Sequence, residues 1–205
     1  MRYTGPACRL CRREGKKLFL KGERCNTQKC AFLRKSDVPG KYGKNLIGKK
    51  TEYCNQLRAK QAVKRTFGLT EKQFRNYYAE ANCREGNTGE IFIQLLEMRL
   101  DNAIYRAGFA DSRAQARQMV SHGLFRVNDK RASAPSIQLK PGNKIEVKKT
   151  VIDSPLFAGL AKQKDISPKW LKVDLAKISV EVAGKPGPEE CEQIDAQTIV
   201  EFYSR

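Results

Sequence analysis

Residues 98 to 131, MRLDNAIYRAGFADSRAQARQMVSHGLFRVNDKR, restrict the possible folds more than any other stretch of the chain. Leu96, Leu100, Ala103, Ile104 and Ala107 recur at intervals of three and four, which sets one helical face against a core. Gly108 ends that helix, and Asp111 and Ser112 open the next, because a Ser or Asp oxygen accepts an otherwise orphan backbone N–H. Gln115, three residues after Ser112, completes a capping-box pattern, and Gly123 is placed to close the helix. Ala116, Met119 and Val120 form its inner stripe, while Arg113 and Arg117, four apart, leave one face together as the candidate reader of a polyanion. Leu124 to Val127 then has strand composition, Asn128-Asp129 is a turn, and Leu139 to Asn143 is a second turn before Ile145-Glu146-Val147.

The charge says what such a module is for. Forty Lys and Arg against 22 Asp and Glu give a net +18, an excess that suits nucleic acid or an anionic membrane surface. Residues 1 to 65 hold 19 basic and 4 acidic groups, residues 66 to 150 hold 14 and 9, and residues 151 to 205 hold 7 and 9. The amino-terminal third is therefore the electrostatic anchor. No apolar run approaches the ~20 residues that span a bilayer, and no signal peptide is recognisable, so a cytosolic protein is expected.

In that compartment seven cysteines read as thiols or metal ligands rather than disulfides. Cys8 and Cys11 form a CxxC pair, followed after thirteen residues by Cys25 and Cys30 as a CxxxxC pair. Two such pairs can close a tetrahedral sphere around one structural Zn²⁺, with nearby cations favouring the thiolates. Unligated thiols, two disulfides and an iron–sulfur cluster are the alternatives. Cys54, Cys83 and Cys191 have no partner at ligand spacing and are expected to pack.

Residues 39 to 50, rich in Gly and Lys, read as a basic loop that orders on RNA. Thr51 to Phe67 turns helical, with Tyr53, Leu57, Ala62 and Val63 inward and Arg58, Lys60, Lys64 and Arg65 outward. Thr70 with Gln73 caps a helix carrying Phe74, Tyr77, Tyr78 and Ala81, aromatics that belong to a core more readily than to base stacking. A further helix begins near Thr88. Trp170 is expected to pack, and Ile199 to Arg205 alternates like a last strand or docked extended segment. His122, the single histidine, sits where a helix ends and suits its last carbonyls.

Arg99 to Asn102, Ser112 to Arg117, His122-Gly123 and Val127-Asn128 together resemble the small RNA-binding module of the S-four family, which also occurs in RNA-modifying enzymes. With Arg2 to Pro6, Cys8 to Gly15, Leu18 to Cys25, Glu71 to Phe74 and Ile199 to Arg205, the whole chain resembles the bacterial ribosomal S-four family. The resemblance implies a mainly helical α+β protein: a zinc-bearing extension and loop over 1–50, a helical body of 51–95 with 155–205, and an inserted module of two helices and a small sheet over 96–154. It implies a non-catalytic primary binder that organises the 5′ domain of 16S rRNA. Contacts to ribosomal protein S-five and other small-subunit proteins, a role in accuracy, and proximity to mRNA where it enters the subunit are implied too, with no membrane and no homo-oligomer. Two departures stand out: Asp129 replaces the glycine usual after Val-Asn, and residues 41 to 50 differ from the more Arg-rich family loop.

Two other functions compete: an RNA-modifying enzyme, which needs a catalytic constellation not visible here, and a DNA regulator reading a groove with residues 112 to 122. On charge and facing, the rRNA contacts are expected at Arg9, Arg12, Arg13, Arg34, Lys44, Arg58, Arg65, Arg113 and Arg117.

Overall fold

The computed structural model describes residues 3–41, 43, 51–152, 154, 157, 167–175, 177–187 and 194–204. Lys44 and most of the basic loop, together with Cys191, lie outside them. The chain divides into two compact units, one of residues 1–92 with 193–205 and the other of residues 93–192. By this division described residues 3–41 fall with the helical body, and described residues between 157 and 187 fall with the sheet-bearing unit.

The helical unit contains α1 (Ala7–Glu14), a 3-10 turn (Gly22–Cys25), α2 (Ala31–Arg34), α3 (Glu52–Thr66), α4 (Glu71–Asn82), the first half of α5 (Thr88–Glu97) and α8 (Ala196–Tyr203). Thr51 caps α3, and Thr70 with Gln73 caps α4 in the reciprocal box its sequence predicts. Phe74, fully buried, meets Phe92 edge-on at 5.0 Å, while Tyr78 stacks on Tyr203 at 4.5 Å. These rings form a core, as their spacing suggests.

The carboxy-terminal segment is a helix, not a strand. Asp195 accepts the Thr198 N–H and so caps α8, and Ile199, Phe202 and Tyr203 then fall on one helical face. Glu201 accepts from Gln56 at 3.2 Å and Glu71 accepts from the Tyr203 hydroxyl at 3.3 Å, tying α8 to α3 and α4. The facing of α3 also departs from expectation. Lys60 is buried with its ammonium 2.6 Å from Glu71 and over the Phe202 ring, whereas Tyr53 is exposed. A long amphipathic stem explains the reversal, since it covers apolar surface while its head reaches a carboxylate. Burial alone would raise the Glu71 carboxyl, but the hydrogen bonds and charges of Lys60 and Lys64 hold it below its ordinary value. Cys83 is exposed at the end of α4 rather than packed, and Cys54 is half-buried.

In the second unit, α6 (Leu100–Arg106) and α7 (Arg113–Ser121) cover one face of a five-stranded antiparallel sheet of order β2-β1-β3-β5-β4. Its strands are β1 (Phe125–Val127), β2 (Lys130–Ala132), β3 (Lys144–Val147), β4 (Leu171–Asp174) and β5 (Ser179–Val182). Period-2 alternation sends Phe125, Ala132, Ile145, Val147, Leu171, Val180 and Val182 inward against Leu100, Ile104, Met119, Val120 and Trp170. The continuous helix expected through Leu96 to Ala107 is broken at Met98-Arg99. Arg99 is extended and bridges Gln138, and the Leu100 N–H donates to Ile137 and that of Leu139 to Met98, which pulls two residues out of helical geometry.

Ser112 caps α7 by accepting the Gln115 N–H, but Gln115 reaches back to the Asp111 N–H, one residue earlier than a standard box. Gly123 closes the helix at φ +70, and the Arg131 guanidinium occupies the space a Cβ would need, 2.9 Å from it. The β1–β2 turn takes positive φ at both Asn128 (47°) and Asp129 (63°), so the tight two-residue turn forms without glycine. Asn128 Oδ1 accepts the Lys144 N–H at 2.9 Å, anchoring the turn to β3. Asp129→Gly should therefore relieve left-handed strain and raise the unit's stability by up to ~1 kcal/mol, readable as a later urea midpoint; a lower midpoint would contradict it. No helix of the described residues is long and apolar enough to cross a membrane.

Candidate nucleic-acid interface

The four spaced cysteines all lie in the first part of the helical unit. Cys8 and Cys11 lie one turn apart on α1, Cys25 ends the 3-10 turn, and Cys30 precedes α2. All four are free thiols, with Cys11, Cys25 and Cys30 buried. Lys21 N–H donates to Cys25 Sγ at 3.4 Å. Burial pushes the Cys11 thiol up, the Leu18 backbone hydrogen bond opposes this, and the neighbouring Cys25, Cys8 and Cys30 add to it. The surrounding cations thus do not make Cys11 a ready thiolate without a metal. Among the described residues no group of three or more His, Cys, Asp or Glu forms a metal-holding cluster. Four thiols are the donor type that Zn²⁺ takes, and Cys25 already accepts a backbone N–H.

The basic residues divide by environment. Arg9, Arg13 and Arg34 are exposed on α1 and α2, as a phosphate contact requires. Arg12 is half-buried and donates through Nε to the Asp37 carbonyl at 2.9 Å. Arg58 and Arg65 of α3 both pair with Glu14, whose side chain is fully buried at the end of α1. Sequence spacing places these two arginines on one face but does not disclose the carboxylate beneath them.

Arg113 and Arg117 also leave one face of α7, yet that face turns toward buried carboxylates rather than outward. Arg117 clamps Asp101 through Nε at 2.9 Å and Nη2 at 2.7 Å, and Asp101 in turn holds the buried Arg99. Arg113 donates to Asn102 at 2.7 Å, lies over the Tyr105 ring and approaches Glu97 at 4.0 Å. Glu97 is gripped by Arg106 through both oxygens. Among the described residues these four guanidinium groups share two carboxylates, a network that holds the end of α5 to α6 and α7.

The sheet supplies exposed cations that the sequence reading passed over. Arg126 faces Arg131 across β1 and β2 and Glu146 across β1 and β3, and Lys130 and Lys144 are exposed as well. Alternation was the available signal: with Phe125 and Val127 inward, Arg126 must point out. His122 is the exposed cap residue of α7, as its position suggests.

A family model described as the ribosomal protein S4/S9 N-terminal domain matches residues 2–97, and one described as the S4 domain matches residues 98–145. A helical domain of the first kind followed by an S4 domain defines a ribosomal protein of the RNA-binding class. The small ribosomal subunit protein uS4 of Natranaerobius thermophilus is 46% identical over 210 residues, covering 100% of this chain and 99% of the relative. Those of Heliobacterium modesticaldum and Thermotoga maritima are each 48% identical, over 209 and 211 residues, with the same coverage. The chain belongs to the small ribosomal subunit protein uS4 family.

Proposed function

We propose that the chain is a structural, non-catalytic constituent of the cytoplasmic small ribosomal subunit that binds its rRNA, and that it organises the 5′ domain of 16S rRNA early in assembly. The observation that carries this reading is correspondence over the full chain with small ribosomal subunit proteins. The concentration of 19 basic groups against 4 acidic ones in residues 1 to 65 supplies the salt-sensitive phosphate affinity such a role needs. Arg9, Arg13 and Arg34, with Arg12, Arg58 and Arg65 behind them, are its principal phosphate-binding residues, and Lys44 extends the set. Arg113 and Arg117, whose side chains keep 11% and 15% of their surface exposed, contribute to the RNA face of the second unit. One structural Zn²⁺ held by Cys8, Cys11, Cys25 and Cys30 completes the amino-terminal fold. Contacts with ribosomal protein S-five, an influence on accuracy and a place beside incoming mRNA follow from the family resemblance.

The DNA-regulator reading loses support from α7. A groove-reading helix must extend its basic side chains, and here Arg113 and Arg117 are turned onto Asn102 and Asp101.

The test is equilibrium binding of the zinc-quantified protein to a 5′-domain rRNA transcript over a salt series, with tRNA and duplex DNA as competitors. Tight one-to-one binding that survives both competitors is the expected result. Equal affinity for every polyanion, vanishing together as salt rises, would leave only charge and overturn the reading.

A further inference from the structure

Glu14 is out of place on general grounds. It is the last residue of α1, where the helix dipole favours a cation, and its side chain is fully buried. What compensates it is the guanidinium pair of α3: Arg58 Nη1 at 3.4 Å and Arg65 Nη1, both converging on the same oxygen, Oε1. Arg58 and Arg65 are seven residues apart, two turns along one face, and each keeps about a quarter of its side chain exposed (24% and 23%).

A simple staple between two helices would saturate its partners. This one does not. Glu14 Oε2 and Arg58 Nε are buried with no hydrogen-bond partner among the described residues. One carboxylate against two guanidinium groups, each with five N–H donors, leaves a unit of positive charge and donors in excess of acceptors. The chemistry that uses such a remainder is a multi-oxygen anion reaching the exposed edges of both guanidinium groups, and phosphate has that form.

We propose that Glu14 is a positioning residue, fixing the Arg58 and Arg65 guanidinium groups as a preset site for rRNA phosphate and tying that site to the cysteine cluster, since α1 bears Cys8 and Cys11 one to two turns before it. The inference rests on the rRNA-binding reading above. It gives a carboxylate in the most basic part of the chain a role in selectivity: it lowers general attraction to polyanions while holding two cations in the geometry one RNA fold requires.

The experiment compares full-length wild-type protein with Glu14→Gln, which keeps shape and removes charge, on the 5′-domain transcript and on tRNA across a salt series. Zinc content and thermal unfolding are recorded for both. The expected result is an about tenfold loss of transcript affinity with a log–log salt slope shallower by roughly one to two, while tRNA affinity holds or rises with the added net charge. A second variant, Arg65→Lys, keeps charge but loses the planar fork, and should also lose transcript affinity selectively. Transcript and tRNA affinities that move together in both variants, or do not move, would overturn the inference even where wild-type selectivity is intact. A wild-type protein that fails to distinguish transcript from tRNA would instead overturn the function on which it rests.

Discussion

Replacing Asp101 by Asn should destabilise the unit of residues 93–192 by about 3–5 kcal/mol, the cost typical of breaking a buried ion pair from one side. Asp101 is nearly fully buried and accepts from Arg99 Nε at 3.1 Å and Nη2 at 2.9 Å and from Arg117 Nε at 2.9 Å. Removing its charge takes from the Arg99 guanidinium, the largest fully buried side chain among the described residues at 1% exposure, a carboxylate that it meets through two nitrogens. Arg117 is more accessible and can relax toward solvent, so Arg117→Met should cost visibly less than Asp101→Asn. The single tryptophan, Trp170, is buried in the core of the same unit and makes the measurement specific to it: urea unfolding followed by its fluorescence reports the sheet-bearing unit alone. Substituting Arg99, Asp101 and Arg117 together by Met, Leu and Met should restore most of the loss, because the carboxylate and the two guanidinium groups that it holds are then removed together. An Asp101→Asn midpoint equal to wild type would mean that the guanidinium groups do not depend on this carboxylate.

That network also marks the limit of what the sequence discloses. The local signals were legible: the Ser112 and Thr70 caps, the alternation through Phe125 to Val127, and the inner stripe of α7 all appear in the structure. They were legible because each is decided by residues within four positions of one another. The destination of Arg113 and Arg117 is decided by Asp101, Asn102 and Glu97, which only the packing of α6 against α7 brings beneath them. The second half of the sheet was hidden for the same reason. Ile145 of β3 pairs with Val180 of β5 across more than thirty residues, and nothing local to either strand announces the other. Residues 199 to 203 failed differently, since Ile, Val, Glu, Phe and Tyr satisfy both periods; the Asp195 cap and the rings of Tyr53 and Tyr78 decide for helix. The site split along the same line. Cysteine spacing is a local signal that could be read directly, whereas the Glu14 pairing behind Arg58 and Arg65 depends on how α1 meets α3.

Chelation of the proposed zinc should unfold residues 3 to about 41 and leave the sheet-bearing unit unchanged. The amino-terminal segment has little else to hold it. Its apolar cluster is only Cys11 and Leu18 against Ala62 of α3, with Leu10, Leu20 and Phe32 partly buried, while Tyr3, Phe19 and Leu33 remain exposed. Its helices, of eight and four residues, are far below the ~12–15 at which an isolated helix becomes even marginal in water. Self-repulsion among its cations opposes compaction further, so the proposed metal, worth on the order of 10 kcal/mol, would decide the fold. Hydrogen exchange before and after chelation checks this directly: amides of α1, the 3-10 turn and α2 should lose protection, whereas the urea midpoint read by Trp170 should not move. Because binding requires four thiolates and burial already raises the Cys11 thiol, mild acid should release the metal and reproduce the effect of the chelator. Loss of α1 would also withdraw Glu14 from Arg58 and Arg65, so selectivity for the rRNA transcript should fall with the metal while attraction to tRNA persists. Protection that survives complete metal removal would show that apolar contacts and RNA-independent charge pairing suffice, and that the four cysteines are unligated thiols.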